Sequence, residues 1–236
     1  MLFLNKKKLF QLDSRLQLCA SMVRENCKLA DIGTDHAYLP IWLVKKEIIP
    51  KAIAADINMG PLQKAAFNIR RYSIGKKVDA RLSDGLELIF PNEVDDIVIA
   101  GMGGELISTI IEKAPWLKDQ EKHLILQPMT SELELRNYLT QNGFAVKQEQ
   151  AVRDGERIYT VMQVEYDPKN VQTGDLFPYV GILKADTEEN KAYIQRQCNR
   201  LQKRADGLKQ GGKHEAEVGR LETIIAQIKV MFSYGF

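Results

Sequence analysis

The chain has 236 residues, with 33 Lys and Arg against 31 Asp and Glu and a formal net charge of +2, which excludes a polycation overall and suits one large domain or one domain with an appendage. No apolar run approaches the roughly 20 residues of a membrane span, and charge at Lys6-Lys7-Lys8 interrupts the start too early for a signal-peptide core. Three cysteines without CxxC spacing fit a reduced, cytoplasmic protein, and three histidines far apart in sequence, His36, His123 and His214, give no metal-ligand cluster.

In chain order, Leu12, Leu16, Cys19, Met22 and Val23 recur at helical spacing and predict a helix over 12–25. Lys28 to Gly33 reads as a short buried strand, followed by a helix over 37–46 with Tyr38, Ile41, Trp42 and Val44 toward a sheet. A second strand over 51–56 ends in Asp56. Asn58-Met59-Gly60-Pro61 closes the next turn, with Pro61 expected as the first residue of a helix over 62–72. A third strand over 78–82 ends in Ser83-Asp84-Gly85, and a fourth over 96–100 ends in a turn, Gly101-Met102-Gly103-Gly104. A helix then runs to about Lys113, and a fifth strand over 123–127 ends at Pro128. Ser131 and Glu134 read as a capping box for a helix to Gln141.

The rhythm then changes. Residues 144–152 and 158–166 read as adjacent strands joined through Asp154-Gly155. The earlier strands are short and nearly continuously apolar, as buried parallel strands are, and the late hairpin adds an antiparallel edge. The fold class expected is α/β, a Rossmann-like class I methyltransferase layout with a mostly parallel seven-stranded sheet. A dinucleotide dehydrogenase would normally keep the sheet all parallel.

Residues 167–181 hold Pro168, Gly174 and Pro178 and read as a connector. Beyond it, Ile194, Cys198, Leu201, Ala205 and Leu208 form one helical seam. After Gly211-Gly212, Val218, Leu221, Ile225, Ile228 and Phe232 form a second. Two short heptad seams predict an antiparallel helical hairpin whose halves bury each other. The domains expected are therefore 1–166 and 167–236. From Lys191 to Lys213 the only acid is Asp206, among seven Lys and Arg. That one-signed span reads as an arm for phosphates, with Arg196, Arg200, Lys203 and Arg204 facing outward and Arg153 and Arg157 adding to it.

The candidate site residues all fall at the carboxyl ends of strands, where open α/β sheets bind ligands. The first turn has one glycine, Gly33, and then Thr34, Asp35 and His36. A pyrophosphate needs further glycines there and would be repelled by a carboxylate. A nucleoside without a diphosphate fits, and S-adenosylmethionine is one. Asp56, with Ile57 beside it, is placed for the ribose hydroxyls. Asp84, with Gly85 behind it, either accepts from the adenine amine or caps a helix. Asp31 either binds the methionine ammonium or caps the next helix. Gly33, Thr34 and His36 belong to the first turn, and Gly101, Met102 and Gly103 pass close to the methyl group. No catalytic residue is assigned; Asp35, Tyr38 and Met102 are candidates, and Tyr38, Met102 and Tyr159 are packing surfaces for an acceptor base.

The segments Asp31-Ile-Gly-Thr-Asp-His-Ala-Tyr-Leu-Pro40, Ala55-Asp-Ile-Asn58, Arg81-Leu-Ser-Asp-Gly85, Ala100-Gly-Met-Gly-Gly104, Leu126-Gln-Pro-Met129 and Arg157-Ile-Tyr159 carry a resemblance in their order. With the Asp-His pair in place of further glycines, the chain resembles the bacterial tRNA (adenine-22-N1)-methyltransferases over its whole length. The resemblance implies a class I fold, S-adenosylmethionine as methyl donor and adenine N1 of tRNA as acceptor. A cytoplasmic enzyme with no membrane and no obligatory protein partner is expected, a monomer ahead of an oligomer. Two rival readings are a small-molecule methyltransferase with an oligomerisation hairpin and a non-catalytic nucleotide- or RNA-binding module.

Overall fold

A computed structural model describes residues 9–211 and 214–233; Lys6, Lys7, Lys8, Gly212 and Lys213, all used in the charge and turn readings, lie outside them. The strands are β1 (Lys28–Ile32), β2 (Lys51–Asp56), β3 (Val78–Leu82), β4 (Asp96–Gly103), β5 (His123–Thr130), β6 (Phe144–Asp154) and β7 (Arg157–Tyr166). They form one seven-stranded sheet in the order β3-β2-β1-β4-β5-β7-β6. The first five run parallel, and β7 enters antiparallel between β5 and the edge strand β6. This is the sheet expected from the run of short apolar strands and the late hairpin.

Neighbouring residues of each strand go to opposite faces, so both faces must be covered. Leu29, Ala52, Ala54, Val98 and Ile125 pack with α1 (Ser14–Met22), α2 (Tyr38–Lys45) and α3 (Met59–Arg71). Ala30, Ile32, Ile97, Ile99, Leu124 and Leu126 pack with α4 (Gly104–Glu112) and α5 (Glu132–Gln141). Every parallel strand therefore ends at one edge of a sandwiched sheet, and the turns there form the mouth.

Three local readings need correction. Helix α3 begins at Met59, so Pro61 is its third residue; that position is still in the first turn, where a missing N–H breaks no helical bond. The fourth strand does not leave the sheet at Gly101: β4 continues to Gly103 through two register shifts against β5, and α4 starts directly at Gly104. Ser131 precedes α5 but makes no side-chain cap, because its backbone is left-handed (φ 57°) and a capping residue needs extended φ and ψ.

The connector is stitched down along its length. Gln172 donates to the Val146 carbonyl (2.9 Å) and accepts from the Val146 N–H (2.8 Å), covering part of the sheet's open edge as another strand would. A short helix, α6 (Phe177–Val180), follows. The two long helices, α7 (Glu188–Gln210) and α8 (Glu215–Ser233), pack as the antiparallel hairpin expected. Cys198, Leu201, Ala205, Leu221, Ile225 and Ile228 are buried between them. The hairpin's base also packs on the sheet through Ala151 and Ile158, and Asn190 accepts from the Ala151 N–H (2.8 Å).

Under that base lies Arg136 of α5, fully buried at 0 % exposure. It pairs with Glu149 of β6 (2.5 Å), reaches the Tyr193 hydroxyl of α7 (3.2 Å) and donates to the Pro178 and Tyr179 carbonyls (3.2 and 3.3 Å). The other Glu149 oxygen accepts from the Ile182 N–H (2.9 Å). One guanidinium thus ties sheet, connector and hairpin together. Replacing one partner leaves the other charged and buried, which costs about 3–5 kcal/mol. Arg136→Met is expected to lower unfolding free energy by about that amount in urea, and the Arg136→Met/Glu149→Leu double variant to recover most of it. A single variant as stable as the parent chain overturns the assignment.

Candidate functional site

The first turn is built from strand-end hydrogen bonds. The N–H groups of Gly33 and Thr34 both donate to the Ala55 carbonyl (2.8 and 2.9 Å), so β1 leaves the sheet while still held by β2. Gly33 has φ 73°, a left-handed conformation that glycine adopts without cost, and a Cβ there would strike the Met102 methyl. Two further left-handed residues follow that are not glycines, His36 (φ 64°) and Ala37 (φ 55°). Each such conformation costs of order 1–2 kcal/mol. The turn is held by Asn68, which donates to the His36 carbonyl (3.0 Å), and by full burial of Ala37. The strain aims the 34–38 segment across the ends of the strands.

A cavity of about 300 Å³ opens there. Asp31, Gly33, Thr34 and Gly101 line it, together with Asp35 and Tyr38. Asp31 is buried and accepts one short hydrogen bond, from the Thr34 hydroxyl (2.5 Å). Burial pushes its carboxyl from 3.8 up to about 6; the Thr34 hydroxyl pulls it down and nearby Asp56 pushes it up. No cationic side chain pairs with it among the described residues, Arg15 being engaged by Asp13 and Asp154, so its second oxygen suits a cation brought by a ligand. Asp56, on the adjacent strand, is buried and uses Oδ1 to accept from the Asn58 N–H (2.6 Å). Ile57 and Met59 beside it are exposed apolar side chains, the kind of surface that covers a base.

The other expected cofactor residues lie outside that cavity. Asp84 pairs with Lys113, the residue after α4, at 3.2 Å, an exposed pair of the kind that opens at little cost. Gly85 is left-handed (φ 55°) and packs against Ile110. Gly103 lies against Thr130. Met102 packs over Gly33. The His36 ring stacks on Tyr38 (centroids 5.1 Å apart, 7° between planes), and its Nε2 is 3.3 Å from Asp35. Phe10 backs Tyr38 at 4.8 Å. Asp35 is 68 % exposed and Tyr38 39 %, so a face of this aromatic stack stays open to solvent.

Sequence reading misses the opposite wall. Asp13, Arg15 and Leu16 also line the cavity, and α1 brings them there. Arg15 donates to Asp13 (3.2 Å), to Asp154 (3.0 Å) and to the Gln127 side-chain oxygen (2.9 Å), and lies over the Tyr159 ring. Those partners are distant in sequence and have no shared spacing. The available hint is a polar Gln127 at the end of an apolar strand.

The basic residues sort into two groups. Arg196 does not project outward: it donates to the Ile158 carbonyl (2.7 Å), faces Glu132 and stacks over Tyr193. Arg204 pairs with Glu217, and Lys209 with Glu222, both at 2.5 Å. The one-signed helix is therefore partly neutralised by acids of α8. Arg200 and Lys203 have no ion-pair partner among the described residues and border shallow grooves beside α7. Arg153 and Arg157 are exposed where β6 turns into β7, at the mouth edge of the sheet.

Comparison with known proteins agrees with this geometry. Residues 12–162 match a family model described as "Methyltransferase domain". The tRNA (adenine(22)-N(1))-methyltransferase of Bacillus subtilis is 31 % identical over 195 residues, covering 81 % of this chain and 82 % of that protein. The crystal structure of the B. subtilis m1A22 tRNA methyltransferase TrmK superposes with a TM-score of 0.80 at 27 % identity, over 96 % of this chain and 99 % of that one. A Streptococcus pneumoniae protein solved in complex with S-adenosyl-L-methionine superposes with a TM-score of 0.76 at 32 % identity, over 91 % of this chain and 97 % of that one. The chain belongs to the tRNA (adenine(22)-N(1))-methyltransferase family.

Asp31 gives a pH signature. Its folded-state carboxyl lies above its ordinary 3.8, so the folded protein holds that proton more tightly than the unfolded chain. Its contribution to stability is full below about pH 4 and is lost as pH rises through about 6. Asp31→Asn removes that loss. The ligand-free variant is expected to gain about 2–3 kcal/mol at pH 7.5 and almost nothing at pH 4, measured by urea unfolding at both. An equal gain at both pH values overturns the assignment.

Proposed function

We propose that this protein transfers the methyl group of S-adenosylmethionine to N1 of adenine 22 in tRNA. The observation that carries the reading is the pair of buried carboxylates, Asp31 and Asp56, at the ends of adjacent strands around a turn with no pyrophosphate cradle. Asp31, ionised, holds the ammonium of the methionine moiety; Asp56 accepts from the ribose hydroxyls through charge-assisted bonds. Ile57 covers the adenine, and Asp84 turns from Lys113 to its amine. The turn of Gly33, Thr34 and His36 and the segment of Gly101, Met102 and Gly103 shape the space for the sulfonium end.

Bound S-adenosylmethionine supplies an electrophilic methyl carbon on sulfur. Adenine N1 has an in-plane lone pair, so the protein's task is to align nitrogen, carbon and sulfur in line. The acceptor base, taken out of its stack, lies against the open face of the Tyr38–His36 pair, with Tyr159 and Met102 as the other apolar surfaces. N1 methylation leaves a positive charge on the base. The exposed Asp35 carboxylate faces that charge as it develops and accepts from the base's amine. No residue is required to take a proton before the methyl moves.

The assignment divides the chain into a methyltransferase domain, 1–166, and a tRNA-binding connector and hairpin, 167–236. Arg200 and Lys203 of the hairpin, and Arg153 and Arg157 at the mouth, supply the phosphate contacts. The hairpin's apolar seams are buried against each other within one chain, which favours a monomer over an oligomerisation arm. A tRNA substrate and three free, buried cysteines fit the cytoplasm.

The direct test is methyl transfer to an unmodified tRNA transcript, followed by nucleoside analysis. The expected product is 1-methyladenosine at position 22; absence of turnover with tRNA, or methylation elsewhere, overturns the reading. The two groups of basic residues also make different predictions. Arg200→Gln/Lys203→Gln is expected to flatten the slope of log affinity against log salt by up to about 2, and Arg204→Gln by less than half as much. Filter binding across salt concentrations measures both, and equal slopes in all variants would remove the hairpin from the phosphate track.

A further inference from the structure

The wall of the cavity opposite Tyr38 rests on one side chain. At Gly101 the β4–β5 register shifts, and the backbone takes φ 81°, which glycine tolerates. The Gly101 N–H turns to the Gln127 side-chain oxygen (3.1 Å). Gly101 is skipped in the register, and the next pair sets Met102 against Pro128, which has no N–H to give back to the bulge. The bulge is thus held by an amide where a ladder would normally hold it.

Gln127 is itself fixed on every side. It is 0 % exposed, and its Nε2 donates to the Pro128 carbonyl (2.8 Å). Its oxygen accepts a second bond, from Arg15 Nη1 (2.9 Å). Arg15 is bracketed by Asp13 and Asp154, on α1 and at the end of β6. The chain of contacts runs from two distant elements through one guanidinium and one amide to a single backbone N–H at the site.

The sign of the charge says what this chain of contacts does. The acceptor base becomes a cation as it is methylated, so a guanidinium lining the same cavity cannot help by attraction. The two carboxylates beside Arg15 already offset its charge. Its contribution is then geometric. We propose that Arg15 is a positioning residue for methyl transfer, fixing through Gln127 the Gly101 bulge that shapes the space where the methyl group and the acceptor base meet. This rests on the reading of the protein as a tRNA adenine-N1 methyltransferase.

The test uses the full chain with an unmodified tRNA transcript and S-adenosylmethionine. For Arg15→Gln, the single-turnover rate at saturating substrates is expected to fall about 10–100-fold, the scale of a misplacement near 1 Å. Affinity for S-adenosylmethionine by calorimetry and for tRNA by filter binding is expected to stay within about 3-fold, since neither ligand loses a contact of its own. Arg15→Lys is expected to recover part of the rate, because an ammonium can still reach Gln127 but cannot bracket Asp154 as well. If Arg15→Gln does not fold, Asp154→Asn at the rim carries the same expectation with a drop of about 3–10-fold. An unchanged or faster rate overturns the proposal, and so does a loss that appears as weakened cofactor affinity. A parent chain that methylates no tRNA overturns the underlying reading instead.

Discussion

Parallel strands that end together leave backbone donors and acceptors that no further strand can satisfy, and the whole mouth of this protein is built from what satisfies them. The Ala55 carbonyl takes both N–H groups of the first turn. The Asp56 carboxylate takes the Asn58 N–H, and the Asp56 carbonyl takes the Ser83 N–H. Gln127 takes the Gly101 N–H. These bonds stop each strand at a defined residue and turn its successor in a defined direction. The left-handed backbone at His36 and Ala37 is tolerated because Asn68 and the surrounding core hold it in place.

The carboxylates at the strand ends are legible in the amino-acid sequence, since a run of apolar residues closing on an acid has few meanings in an alternating β/α pattern. The sheet's mostly parallel character follows from the same pattern, with the hairpin as its late exception. What a linear reading cannot reach are groups brought together only by the fold. Arg15 meets Asp154 and Gln127 across most of the methyltransferase region, and Arg136 meets Glu149 and Tyr193 under the hairpin. Charge along α7 is visible in the sequence, but the acids that answer it lie on α8, after the turn. A one-dimensional charge run cannot show a pairing across an antiparallel seam. Strand ends mislead for a related reason: the glycines after Ala100 have the composition of a turn, yet Gln127 and the bulge keep them in the sheet.

The electrostatics of the site are asymmetric in a useful way. Asp31 is buried and its carboxyl is pushed up to about 6, while Asp35 is exposed. A buried carboxylate without a cation is costly, so in the proposed function the ammonium of S-adenosylmethionine removes a destabilising feature as it binds. An exposed carboxylate costs nothing while it waits for a cationic product. In the proposed roles, the first favours cofactor binding before the base arrives, and the second acts only once charge appears on that base. In the proposed function, Asp31 at the end of β1 and Asp35 in the turn after it thus serve different stages because one is buried and the other is not.

The hairpin completes this arrangement through stiffness as well as charge. Arg136 fixes its base to α5 and β6, and Arg196 clamps α7 to the Ile158 carbonyl on β7. Ile158 is the immediate neighbour of Tyr159, whose ring lies under Arg15 at the cavity. A base must be taken out of its stack to enter the site, which costs a few kcal/mol. An arm that swung freely would lose part of its phosphate-binding energy to its own ordering before any remained to offset that cost. In the proposed function, an arm seated on β6 and β7, whose connecting turn lies at the mouth of the sheet, holds the tRNA backbone at a fixed distance from the methyl group. The residues that look least functional in sequence, a buried arginine and an arginine turned inward, are the ones that seat this arm on the sheet.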